Sequence, residues 1–436
     1  MAIKNVDEER LKAVLRESFS PARAISDPAH LRGRDKLLRK IEWAFNSPGK
    51  HVFIYGERGV GKTSLAQSAA VKHQSVDADP ILIACDSTTP FEKIIADCVR
   101  ACLPPSDIIQ KARVEKRIGW SHGITAEAAK GFEKGVIPPV ESINDAVTYL
   151  KYVAQMHSRE PVIIFDEFDQ IDDLGTKKKF ADIIKQVSDQ SVNVKFIFCG
   201  IASSLDELIG VHLSSDRYMA PVSVDPLEPS ALFQILNHAS RQLGVQFGWE
   251  ELVRVAKISD GFAYYTHLIG EHVLRSMFDD EGEYSAPTLT HFDIGLRGAI
   301  SEALGSVKQS YELAVLKKSD DYEEVLWAVA DSKVLEPRPT AEIYEKSYKE
   351  IAERRRLKER SRKVLSQQQF YQRMNRLKQE AHGHILVGNK QGWYKFRENW
   401  MRGYVRLVAE EKGVPLGVDH HLAPPPDGAD RVKSLM

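Results

Sequence analysis

The segment His51–Ser64, HVFIYGERGVGKTS, constrains this chain more than any other. A short apolar run of strand character, Val52–Tyr55, enters a glycine-punctuated loop, and a helical pattern starts at Lys62. Gly56, Gly61, Lys62 and Thr63 fill every fixed position of the phosphate-binding loop. A loop that wraps phosphates turns its backbone N–H groups inward, and side chains at the bend would block that approach. Glycines at Gly56, Gly59 and Gly61 answer this need. The following helix directs the positive end of its dipole at the same point. Lys62 adds a mobile cation for β- and γ-phosphates, and Thr63 a hydroxyl for Mg²⁺. The expected nucleotide cradle is Gly56, Glu57, Arg58, Gly59, Val60, Gly61, Lys62, Thr63 and Ser64.

A second motif lies about a hundred residues on. The apolar run Val162–Phe165 ends in Asp166-Glu167. A carboxylate at the carboxyl end of such a strand can hold the hydration shell of Mg²⁺, the role expected of Asp166 together with Thr63. Glu167, one residue further, can polarise an attacking water. Asp169, Asp172 and Asp173 make the whole loop acidic.

Around these motifs strand and helix alternate. Ile81–Cys85 reads as a buried strand, Pro90–Cys102 as a helix, Ser142–Met156 and Lys177–Ser188 as helices, and Val194–Cys199 as another buried strand. This order predicts a doubly wound α/β domain over residues 31–225, after an N-terminal arm of residues 1–30. Residues 103–140 read as an insertion whose cations Lys111, Arg113, Lys116 and Arg117 could meet DNA or a partner. Beyond Pro226 the pattern is all helical: Pro229–Leu243, Glu250–Ser259, Tyr264–Phe278 and His291–Leu304. It predicts a helical lid over residues 226–317. Residues 322–413 read as helices Tyr322–Ala330, Thr340–Arg355 and Ser366–Glu380, a hairpin turning at GNKQG, and a last helix, Glu398–Lys412. Three helices and a hairpin are the order of a winged helix-turn-helix. Residues 414–436 read as a disordered tail.

Composition narrows the classes. A chain of 436 residues, 43% hydrophobic and 28% charged, suits two or three globular domains. No apolar run approaches the roughly 18 residues of a membrane span, and the N-terminus carries no secretory h-region. Cys85, Cys98, Cys102 and Cys199 lie in apolar contexts without metal spacing, so a reducing, cytoplasmic setting is expected. The adjacent His420 and His421 have no clustered partners and read as incidental. The net charge of -1 hides an asymmetry: residues 344–406 hold 17 Lys and Arg against 6 Asp and Glu. Arg354, Arg355, Arg356, Arg373, Arg376, Lys378, Lys390 and Lys395 are the candidate DNA contacts, with Gln367, Gln368, Gln369, Gln372, Asn375 and Gln379 able to read base edges. Tyr371, Leu377 and Trp393 read as core. Protein interaction is the alternative use of such a module.

GERGVGKTS, IIFDEFD, the strand VKFIFCG and then SSDRY together resemble an AAA+ ATPase of the branch holding origin-recognition initiators and their STAND relatives. The upstream LRGRD is similar to the box that opens those proteins near the adenine. The resemblance implies ATP rather than GTP, with Mg²⁺, and places Arg34 near the base. It puts a polar sensor near the end of the fourth strand. Cys199 is not polar, which leaves Ser203. It gives Arg217 the arginine-finger position, reaching the γ-phosphate of a neighbouring subunit. One departure is plain: initiators carry an arginine after a lid glycine, whereas Gly261 is followed by Phe262, Ala263, Tyr264 and Tyr265, with His267 as the nearest polar substitute. Two functions follow as expectations. One is a self-associating ATPase on double-stranded DNA, of the replication-initiation, helicase-loading or transposition type. The other is a STAND-like signalling ATPase, for example in antiphage defence, that gates a separate effector protein.

Overall fold

Short β-rich runs separated by helices build one parallel sheet: β1 (His51–Tyr55), β2 (Ile81–Ala84), β3 (Val162–Asp166), β4 (Lys195–Gly200) and β5 (Met219–Ser223), in the order β2-β3-β4-β1-β5. The structure is a computed structural model, which describes residues 3, 6–21, 23–74, 78–102, 139–158, 160–201, 217–316, 318–358 and 363–417. The expected insertion over residues 103–138, the sensor candidate Ser203 and the tail over residues 418–436 lie outside them. The chain divides into two compact units, Ala24–Glu57 with Gly61–Asp225, and Met1–Arg23 with Arg58–Val60 and Pro226–Met436.

The sheet belongs to the first of these. Its register pairs Ile54 with Cys199 and Tyr55 with Ser223, so every strand delivers its carboxyl end to one edge. β1, β3 and β4 are buried along nearly their whole length, as near-continuous apolar runs require. β2 departs from the expected buried strand. It is a sheet edge, and Leu82 is 46% exposed. Helices Phe91–Arg100, Ile143–Met156 and Leu174–Asp189 bury their apolar faces with the sheet around Phe53, Phe165, Phe168, Phe180, Phe196 and Phe198. Phe165 stacks on Phe198 at 5.0 Å, and Phe168 meets Phe180 edge-on at 4.9 Å. Asp173 caps the helix Leu174–Asp189 by accepting the Gly175 and Thr176 N–H groups.

In the second unit the helices Pro229–Gln242, Trp249–Ser259, Ala263–Asp279, Leu289–Glu302 and Gly305–Val315 form the lid. The residues expected as an arm contain a helix, Glu8–Ser18, capped by Asp7 and burying Leu11, Val14 and Leu15. The C-terminal module follows the order helix Asp321–Ala330, β6 (Arg338–Pro339), a continuous helical run from Thr340 through a π-helical stretch, Ile343–Tyr348, to Lys358, helix Gln367–Arg376, β7 (Leu386–Gly388), β8 (Trp393–Phe396) and helix Met401–Glu411. Its sheet order, β6-β8-β7, adds a strand that the expected plan lacked and completes a winged-helix arrangement.

Lid and C-terminal module share one core. Gly403 lies against the Tyr265 ring, where any side chain would collide. The Tyr265 hydroxyl donates to the Trp400 carbonyl at 2.9 Å. Asp260, which ends the helix Trp249–Ser259 in a left-handed conformation, accepts from Arg402 at 2.5 and 2.7 Å and from Arg406 at 3.0 Å. All three side chains are under 10% exposed. Arg406 also donates to the carbonyls of Ala330, Lys257 and Ser332, and burial pulls its guanidinium down to about 10. Removing one partner of such a buried network strands the other charges. Asp260→Ala is therefore expected to lower stability by about 3–5 kcal/mol. Urea unfolding checks this; an unchanged midpoint would show that the network contributes nothing.

Candidate nucleotide site

The loop after β1 takes the shape its glycines predict. Gly59 (φ 82°) and Gly61 (φ 93°) hold left-handed backbone that side chains resist. Gly61 also serves as the N-cap of the helix Lys62–His73, which starts the helix directly behind the bend. The Lys62 ammonium donates to the carbonyls of Gly56 at 3.0 Å and Glu57 at 2.8 Å. Val60 is buried, and Arg58 is exposed. Ser64 turns its hydroxyl to accept the Ile25 N–H at 3.1 Å, while Ser68 donates to the Ile25 carbonyl. This contact anchors the segment before the helix Asp35–Phe45 on the phosphate-loop helix.

The two motifs meet. The Thr63 hydroxyl donates to Asp166 Oδ2 at 2.7 Å, and the Glu167 N–H donates to Asp166 Oδ1 at 3.0 Å. A hydroxyl beside a carboxylate at the carboxyl edge of the sheet is an all-oxygen donor pair of the kind Mg²⁺ prefers, so these residues fit that ion. Glu167 follows in left-handed backbone (φ 53°), a conformation that costs a residue with a side chain roughly 1–2 kcal/mol. Its side chain is exposed beside the site. The other acids of this loop have structural work: Asp169 accepts the Ile201 N–H at 2.9 Å and fixes the exit of β4, and Asp173 caps a helix.

Arg34 is 6% exposed and donates to the Asp225 carbonyl at 2.7 Å, and burial lowers its guanidinium to about 10. It ties the start of the helix Asp35–Phe45 to the end of β5. Cys199 is fully buried, and burial raises its thiol well above the ordinary range. Arg217 sits at the amino end of β5, the far end from the phosphate loop, with its side chain 67% exposed. It lies over the Tyr218 ring at 4.5 Å and pairs with Asp189 at 3.7 Å. His267 is no substitute for the missing lid arginine. It is 4% exposed, edge-on to Phe19 at 5.9 Å, and burial lowers it to about 4.

In the basic module several of the candidate cations are paired internally. Arg355 is not a free cation: its side chain is 12% exposed, lies over Trp327 at 4.6 Å and pairs with Glu323 and Glu324 at 3.7 and 3.5 Å. Arg373 binds Asp321 at 2.8 Å, and Arg376 donates to the Tyr322 hydroxyl at 3.0 Å, so both turn toward their own module. Arg354 and Arg356 pair with Glu350 and Glu353 on their own helix. Lys378 lies over the Tyr394 ring at 5.4 Å. Lys390 is exposed at the hairpin turn, and Lys395 follows on β8. Leu377 is buried, but Tyr371 and Trp393, expected in the core, are 45% and 43% exposed. Among the described residues no helix is long and apolar enough to cross a membrane.

A family model described as an ATPase domain predominantly from Archaea matches residues 32–268, more than half of the chain. No curated protein matches in sequence. Among solved structures, the Walker-type ATPase of Pyrococcus abyssi is similar at 17% identity and a TM-score of 0.53, covering 88% of this chain and 99% of that one. Cdc6p from Pyrobaculum aerophilum matches at 14% identity, a TM-score of 0.42, and 93% and 99% coverage. The Orc1 protein of Aeropyrum pernix, solved in complex with DNA, gives 14%, 0.41, and 88% and 95%. The likeness to the Pyrococcus protein is one of fold.

Proposed function

The chain belongs to the family of ATPase domains found predominantly in Archaea, and from that premise we propose an ATP-hydrolysing switch of AAA+ type whose site is shared between two copies. The observation that carries the reading is the Thr63–Asp166 contact, which joins the phosphate loop to the acidic strand end. The loop N–H groups and Lys62 hold the phosphates. Thr63 and Asp166 hold Mg²⁺, whose charge offsets that of the phosphates. Glu167 takes a proton from the attacking water.

Sharing of the site rests on Arg217. Five residues of β5 separate it from the loop edge. At roughly 3.3 Å per residue the strand spans more than the reach of an arginine side chain. Arg217 therefore cannot serve its own phosphates, and acts on those of a second copy or not at all. The C-terminal module is the output. For DNA, the amides of the helix Gln367–Arg376 with Lys378, Lys390 and Lys395 are the surface, and phosphate contacts would make binding salt-dependent. The second reading, a switch that gates a separate effector protein, draws support from the internal pairing of Arg355, Arg373 and Arg376. The four cysteines are free, as a cytoplasmic setting would leave them.

ATP turnover against protein concentration, with and without double-stranded DNA at two salt concentrations, tests the proposal. The rate per chain is expected to rise with concentration, and Arg217→Ala to lower it by about 10³-fold, the low end for an arginine finger. A further rise with DNA at low salt favours the DNA reading. A rate indifferent to DNA moves the output to a protein partner, and one indifferent to concentration and to Arg217→Ala rules out a shared site.

A further inference from the structure

No arginine follows the lid glycine: Gly261 leads into Phe262, Ala263, Tyr264 and Tyr265, and His267 is buried against Phe19. The phosphate loop carries a cation of its own. Arg58 stands at the bend, two residues after Gly56, with its side chain exposed and its guanidinium carbon 5.9 Å from the centre of the Trp400 ring. No ion pair of Arg58 with a carboxylate occurs among the described residues. The neighbouring Gly59 lies against the same side chains: a Cβ there would make ordinary contacts, 3.4 Å from Trp400 Cβ and 3.5 Å from Phe262 Cδ1. Trp400 is held in turn by Tyr265, and the next turn of its helix is clamped by Asp260. The buried indole N–H of Trp400 has no hydrogen-bond partner.

We propose that Arg58 supplies a γ-phosphate cation in place of the arginine missing after Gly261, resting on the Trp400 ring until a triphosphate is bound and then turning onto its terminal phosphate. This rests on the ATPase reading above. A cation–π contact at an exposed site is weak beside a charge-assisted bond to phosphate, so the terminal phosphate wins the competition. The side chain can turn while the loop backbone stays seated by the buried Val60, two residues on. Hydrolysis breaks the bond between Pγ and the β,γ-bridging oxygen as water oxygen bonds to Pγ. The water proton goes to Glu167 and the bond electrons leave with ADP. Arg58 then offsets the charge on the γ-oxygens and returns to Trp400 when phosphate leaves. The indole, carried by the last helix of the C-terminal module, thereby distinguishes ATP from ADP.

The test is calorimetric titration of the full chain with Mg²⁺ and either ADP or a non-hydrolysable ATP analogue. Arg58→Gln and Arg58→Ala are expected to weaken the triphosphate by about 10- to 100-fold, the worth of one charged hydrogen bond, and to leave ADP within about twofold. Trp400→Ala is expected to tighten the triphosphate alone, and to have no such effect in the Arg58→Gln background. Unchanged ADP affinity certifies that each variant is folded. Equal loss of both nucleotides, or of neither, in both Arg58 variants would overturn the proposal while leaving the ATPase reading intact. Failure of the unaltered chain to bind either nucleotide would overturn both.

Discussion

Lys62→Ala is expected to abolish nucleotide binding, with affinity for ATP falling at least about 100-fold. The loop geometry holds the ammonium at the inside of the bend, where it donates to the Gly56 and Glu57 carbonyls. Phosphate oxygens are stronger acceptors than these carbonyls, and a bond between two charged groups is worth roughly twice a neutral one. Losing it removes the fixed cation from the inside of the loop, where the backbone N–H groups and the helix dipole then face the bridging and β-phosphate charges. The fold should survive, because the Gly56 and Glu57 carbonyls that Lys62 binds belong to the loop itself and not to the sheet or core. Equilibrium titration with a fluorescent ATP analogue checks the result, and unchanged affinity would remove the phosphate-loop assignment.

Glu167→Gln is expected to leave ATP affinity within about twofold and to cut turnover by about 10²–10⁴-fold, the range for loss of a general base. The two adjacent carboxylates are distinguished by their surroundings. Asp166 already accepts from the Thr63 hydroxyl and the Glu167 N–H. Glu167 is turned away from the strand by its left-handed backbone, and its side chain is exposed. Glutamine keeps the shape and loses the basicity. Product release measured under saturating ATP reads the effect; normal turnover would mean that another group takes the proton.

Much of the α/β unit was legible because its cause is local. β1, β3 and β4 are apolar runs bounded by loops, and the phosphate loop is written in glycines whose backbone angles only glycine tolerates. β5 was not legible. MAPVS buries only Met219 and Val222 and contains Pro221, which an edge strand accepts because one side of its backbone needs no partner. β6 is two residues long, too short for any periodicity to show. The internal pairing of the arginines in the basic module was hidden for a different reason. Their partners Asp321, Glu323 and Glu324 lie on a helix about 30 to 50 residues earlier in the chain, so pairing that neutralises them is a tertiary fact without local trace. Trp393 and Tyr371 misled in the opposite sense, as large rings in amphipathic segments that the fold leaves half outside. The contact of Thr63 with Asp166 was implied by the two motifs, but that they come together across about a hundred residues is shown only by the sheet order, in which β4 alone separates β1 from β3.

The most direct measurement of the central claim is phosphate release from Mg²⁺-ATP by the purified full chain, run beside Glu167→Gln at equal nucleotide occupancy. Stoichiometric conversion of ATP to ADP and phosphate by the unaltered chain, with the variant saturated yet inactive, is the predicted result. Binding of ATP without any release of phosphate, or equal release by both proteins, would contradict it.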